Sequence, residues 1–158
     1  MNKIIIIALI IGALVYFSYQ HKPPERGPIV YAESDVKFKI PGRDIELVMI
    51  GQRYETTECK HDSIIEKIKE SCHSDICTEV NYQCKTEIDS QYKAMFDKKP
   101  ARVYYMHLEH KTEPLQAIVL FWGLTDEEAK AACNYLLNGI DTKNGIPANA
   151  RCVGIGES

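Results

Sequence analysis

Six cysteines in 158 residues constrain this chain more than any other feature, and all six follow a single apolar N-terminal run. In an oxidising compartment such a set becomes a covalent framework, whereas in the cytosol it stays reduced or holds metal. The leader decides between these. Met1-Asn2-Lys3 opens into Ile4–Phe17, in which Gly12 is the one neutral interruption. Those 14 residues span roughly 21 Å as a helix, against about 30 Å for a hydrocarbon core. The run therefore fits a long secretory h-region, or a short anchor extended by Ser18 and Tyr19 with aromatic residues at the boundary. Tyr16-Phe17-Ser18 offers a small residue at −1 but a bulky one at −3, and Val30-Tyr31-Ala32 lies too far downstream for cleavage. Retention is expected: residues 1–20 form a single-pass signal anchor in a bacterial inner membrane. Lys3 stays inside and the remainder faces the periplasm, where a cleaved leader would also leave it.

His21–Pro28, HKPPERGP, is a stiff polyproline-type stalk with three prolines in eight residues. The expected organisation is an anchor at 1–20, a linker at 21–34 and a disulfide-bonded domain at 35–158. Alternation in Val36–Ile40 and the run Ile45–Ile50 read as two strands around Pro41-Gly42. A helix is expected from Asp62 or Ser63 to Cys72, a cysteine-rich loop over 73–85, and a second helix over 87–97. Arg102–Lys111 and Leu115–Trp122 make a hairpin. Thr125-Asp126-Glu127-Glu128 is a capping box opening a helix with Ala129, Ala132, Cys133, Leu136 and Ile140 on one face, ending at Asn138-Gly139. A short strand over 151–155 closes the chain. The expected class is α+β: an antiparallel sheet with helices on one face, in the βαββαβ order of ferredoxin-like sandwiches plus one extra N-terminal strand. That topology carries no function by itself.

Six cysteines allow 15 complete pairings. A helix over 62–72 would hold Cys59 and Cys72 roughly 16 Å apart, beyond the reach of about 7 Å between bridged Cα atoms. The consistent set is Cys59–Cys84, Cys72–Cys77 and Cys133–Cys152. Cys59-Lys60-His61 and Cys72-His73 place imidazoles beside thiols, yet no CxxC occurs and the spacings match no common zinc site. No metal and no cofactor is expected. A thiol–disulfide catalyst would need a CxxC at a helix start.

Nineteen Lys+Arg against 22 Asp+Glu leave a formal charge of −3, which argues against a nucleic-acid partner. There is no GxSxG, HExxH, P-loop or GxGxxG. His107 and Glu109 share a strand face beside Tyr105, a pairing that could serve a general base or simply mark a wet strand face. The hairpin is apolar on both sides: Ile118, Leu120 and Trp122 on one, Ala117, Val119 and Phe121 on the other. One layer of helices covers only one side, so the N-terminal hairpin, a twin subunit or another protein must cover the second. The leading expectation is a non-catalytic protein-binding domain, an accessory subunit of an envelope complex or an inhibitor or immunity protein. Tyr105, His107, Phe121 and Trp122 are its expected contact residues. The alternatives are a small envelope hydrolase using His107 and Glu109, and a metal-binding or sensory domain. Mass spectrometry of the exported chain without reductant should read six hydrogens fewer than the reduced form; free thiols or bound zinc would remove the covalent framework.

Overall fold

The computed structural model describes residues 27–54, 59, 77–143 and 148–155. The expected anchor, most of the stalk, the helix over 62–72 and the Cys72 end of the expected Cys72–Cys77 bridge lie outside the described residues. Among the described residues, no helix is long and apolar enough to cross a membrane. The elements are β1 (Ile29–Ile40), β2 (Arg43–Tyr54), β3 (Cys77–Lys85), α1 (Ser90–Phe96), β4 (Tyr105–His110), β5 (Gln116–Trp122), α2 (Asp126–Lys143) and β6 (Ala148–Val153). They form an α+β fold around one six-stranded sheet of order β3-β1-β2-β5-β4-β6, with every neighbouring pair antiparallel.

The β1–β2 hairpin turns on Pro41-Gly42, and its register runs without a break from Ile40↔Arg43 to Ile29↔Tyr54. Proline fixes φ at the first turn position, and Gly42 takes φ 89° at the second, a pairing suited to a type II turn. β1 begins at Ile29, so residues 29–34 are paired strand rather than linker.

β3 corrects the loop expected over 73–85. Cys77, Val80, Tyr82 and Cys84 pack inward, while Thr78, Glu79 and Asn81 stay in water. An edge strand needs only one apolar face, and here cysteines fill two of its four inward positions, so the segment reads as polar. Its insertion means that the hairpin β1–β2 separates β3 from β5. At the other end, β5 and β6 run parallel on either side of β4 and are joined through α2.

The two described helices lie on opposite faces, not on one. Val36, Phe38, Ile45, Leu47, Met106, Leu108, Val119 and Phe121 pack with Ala129, Ala132, Cys133 and Leu136 of α2. Val48, Ile50, Tyr105, Ile118 and Leu120 pack with Tyr92 and Met95 of α1 and with Ile88 just before it. The doubly apolar hairpin is thus covered on both sides from within the chain. α2 runs past Asn138-Gly139 to Lys143, beyond its expected end.

Two bridges hold the face covered by α2. Cys133–Cys152 ties α2 to β6 and Cys59–Cys84 ties residue 59 to β3, both with Cα atoms 6.0 Å apart. Cys77 is also disulfide-bonded. Each closed loop contributes about 2–4 kcal/mol.

The start of α2 is fixed twice. Thr125 N donates to Glu128 Oε2 at 2.9 Å and Glu128 N donates to Thr125 Oγ1 at 3.3 Å, the reciprocal pair of a capping box. Arg43 then clamps the same carboxylate with two guanidinium nitrogens, Nη1 at 2.8 Å from Oε2, which pins the helix to the β1–β2 turn. Gly123 makes the approach feasible: φ is 78°, and a Cβ there would stand 2.2 Å from the Asp44 carbonyl oxygen. The Arg43 guanidinium, followed by the Thr125 amide, holds the Glu128 carboxyl at about 2 against an ordinary 4.5. A carboxyl whose value is depressed on folding stabilises above its unfolded value and loses that contribution as pH falls through the folded one. Glu128→Gln should therefore be less stable than the parent at pH 7, with the gap closing between pH 4.5 and 2 in urea denaturation.

Candidate functional site

The face of the sheet that carries α1 changes from apolar to polar across β5, β4 and β6. Opposed residues in antiparallel strands project to the same side, so register defines a grid of three rows. Leu120, Tyr105 and Val153 form the first, Ile118, His107 and Arg151 the second, and Gln116, Glu109 and Asn149 the third. His107 is its centre. Gln116 lies beside the ring and favours its protonated form, and among the described residues the ring's Nε2 is the one buried side-chain nitrogen or oxygen without a partner. At 1% exposure the ring is sealed from water. An orphaned buried polar atom of this kind carries a desolvation cost of about 1–3 kcal/mol.

The segment following α1 is tied to the residues that surround His107. Lys98 N donates to Met95 O and Lys99 N to Ala94 O, both at 3.0 Å, the paired bonds of a Schellman motif. The left-handed position in that motif usually belongs to glycine. Here it is Lys98, at φ 61°, the only described non-glycine residue with positive φ. The unusual conformation sends its ammonium onto Glu109, with which it pairs. Two further tethers hold the segment down: Tyr105 Oη donates to Lys99 O at 2.7 Å, and Arg151 Nη2 lies 3.4 Å from Lys98 O. Residues 97–99 are therefore a strap across β4 and β6, tied at Tyr105, Glu109 and Arg151, the residues that flank His107 in the grid.

Electrostatics follow from the enclosure. Burial pushes the His107 imidazole below its ordinary value; Gln116 and Glu109 oppose the shift, and Lys98 and Arg151 add to it. The Lys98 ammonium holds the Glu109 carboxyl low. Elsewhere on this face the buried charge is satisfied: Glu33, 6% exposed, accepts from Lys85 Nζ at 2.8 Å and Gln83 Nε2 at 3.0 Å. Asp35 beside it is pushed up by burial, then by Glu33 and Glu46.

No family model, curated protein or solved structure matches the chain. Of the four expected contact residues, Tyr105, His107 and Phe121 are interior, at 0, 1 and 4% exposure, and Trp122 alone reaches solvent. The alternation that identified them is real, but each face it defines is covered by a helix or the strap. His107 and Glu109 do share a face, with Glu109 turned to Lys98. His110, on the opposite face, organises the β4–β5 turn: its Nδ1 accepts from the amides of Thr112 at 3.3 Å and Glu113 at 3.1 Å. Among the described residues no group of three or more His, Cys, Asp or Glu is placed to hold a metal ion. Lys98 and Arg151 complete the cluster and were invisible to strand periodicity, since one sits in a turn and the other on a strand remote in sequence. Charge placed in this interior should unfold the domain: Tyr105→Glu and Phe121→Glu should lose near-ultraviolet circular dichroism, Trp122→Glu should retain it, and Tyr105→Phe should cost about 1 kcal/mol.

Proposed function

We propose that the chain is a membrane-tethered, extracytoplasmic protein-binding domain, an accessory or inhibitory component of a cell-envelope assembly. The observation that carries the compartment is that no described cysteine is free, in a domain whose sheet is already packed on both faces. A reducing compartment would not maintain such a framework. The apolar leader supplies the route and the stalk the spacing from the lipid.

With both faces of the sheet covered, the partner surface moves to the rim. Among the described residues β6 pairs only with β4, leaving its other edge free. β6 reads Ala-Asn-Ala-Arg-Cys-Val, with Arg151 its single charge, whereas the opposite edge strand β3 carries Glu79 and Lys85. Charged edges resist pairing and sparsely charged ones accept it. A partner strand added along β6 would gain main-chain hydrogen bonds, with Trp122 and the exposed Tyr135 and Ile155 as separate apolar contacts.

Co-purification from detergent-solubilised membranes tests this reading. A protein should be retained by the parent chain. Proline introduced in turn at Asn149, Ala150 and Arg151 should split into two classes. Where the amide faces β4 the fold is lost; where it faces outward the fold persists and the partner is released. Retention of the partner by every folded proline variant would remove β6 from the interface, and alkylatable thiols in the native chain would remove the compartment.

A further inference from the structure

We propose that residues 97–99 are a proton-operated latch, closed over neutral His107 and released when the imidazole takes up a proton. The inference goes beyond partner binding and stands without it.

The closed state has little room for a second proton. His107 lies at the centre of its grid and is 1% exposed, with no partner on Nε2. Protonation would make the ring a cation whose Nε2 has no acceptor at hydrogen-bond distance. Among the described residues, charged groups act on the ring from β4, β6 and the strap. β5 contributes Ile118 and Gln116, both uncharged; β6 contributes Arg151; β4 contributes Tyr105 and Glu109; the strap contributes Lys98, while its exposed Asp97 and Lys99 pair with each other at 3.2 Å. The formal charges around a neutral ring are two positive and one negative. A cationic ring makes them three and one, and Glu109 is already committed to Lys98.

Water is the available acceptor, and the strap is the part of the enclosure that can yield to admit it. The flanks of His107 are paired strands, whereas the strap is tied to the sheet by the Lys98–Glu109 ion pair, the Tyr105 hydroxyl and the long Arg151 contact, its backbone bonds running back to α1. It also holds a lysine in a left-handed conformation that relaxes on release. Opening would free Lys98, Glu109 and Arg151 together, altering the charge presented beside β6.

Amide hydrogen exchange on the full-length, bridged chain in detergent reads the latch directly. The Lys98 and Lys99 amides, bonded back to α1, report on it, and the Ala129 amide, bonded to Thr125 O at 2.8 Å at the start of α2, reports on the layer of the other face. After correction for intrinsic rates, protection at Lys98 and Lys99 should fall up to about tenfold per pH unit below about pH 6.5, as expected for one linked proton. Ala129 should keep its protection between pH 7.5 and 5.5. His107→Leu, with His107→Gln as a second variant should the first not fold, should abolish the pH dependence. Constant protection at the strap, a parallel loss at Ala129, or a pH response surviving in a folded His107 variant would each overturn the latch.

Discussion

Double-sided burial of the central strand pair β2–β5 governs the rest of this fold. Leu47 and Val48, and likewise Leu120 and Phe121, are consecutive residues that must both leave water while pointing in opposite directions. An amphipathic strand is content with one covering layer; this pair requires two. At about 25 cal/mol per Å² of apolar surface, leaving either side wet would forfeit several side chains' worth of burial, each about 1.5–3 kcal/mol. The short α1 and the long α2 are the two solutions. Their unequal lengths are matched by what secures them. α2 has a capping box, the Arg43 clamp and a disulfide; α1 has seven residues, two of them buried, and the strap at its end.

This division explains where the bridges lie. Cys133–Cys152 and Cys59–Cys84 are both on the side covered by α2. Cross-links there restrict the unfolded chain and fix α2 against β6, while the opposite layer is held by packing, one hydroxyl and ion pairs. Local opening draws on regions with few buried contacts, and α1, with two buried residues in its seven, is such an element.

Much of this was legible in the sequence where local chemistry dominates. Thr125 and Glu128 announced a helix start because a capping box is satisfied within four residues. Cys133 and Cys152 could be matched because helix and strand periodicity put them on facing surfaces. Val36–Ile40 and Ile45–Ile50 alternated or ran apolar as strands do. Legibility ended where tertiary partners supply the missing term. β3 looked like a loop because an edge strand uses one face and cysteines occupied its apolar positions. The helices were placed together because nothing local in Ser90–Phe96 says which side of a sheet it will meet. Apolar alternation in β4 and β5 identified residues that are buried, but whether the cover comes from the same chain or another is a tertiary question. Tyr105, His107 and Phe121 were therefore assigned to a partner when an internal layer takes that place. The pairing of His107 with Glu109 followed from period two; the arrival of Lys98 and Arg151 required the α1 terminus and β6 to converge.

Lys98 shows how a local penalty can be set by a distant requirement. Glycine at that position would meet the Schellman geometry without strain, whereas an L residue in the left-handed region costs about 1–2 kcal/mol. An exposed or half-exposed ion pair returns about 0–1 kcal/mol, so the Lys98–Glu109 contact offsets at most part of that cost. Backbone stability alone therefore does not account for lysine here. What lysine provides and glycine cannot is a cation fixed above a buried imidazole, raising the cost of a proton on His107 while the strap is closed and leaving with the strap when it opens. In that arrangement the strain at residue 98, the unsatisfied Nε2 and, among the described residues, the lack of a cross-link on this face all act in one direction. Each lowers the cost of release without weakening the two-layer core beneath.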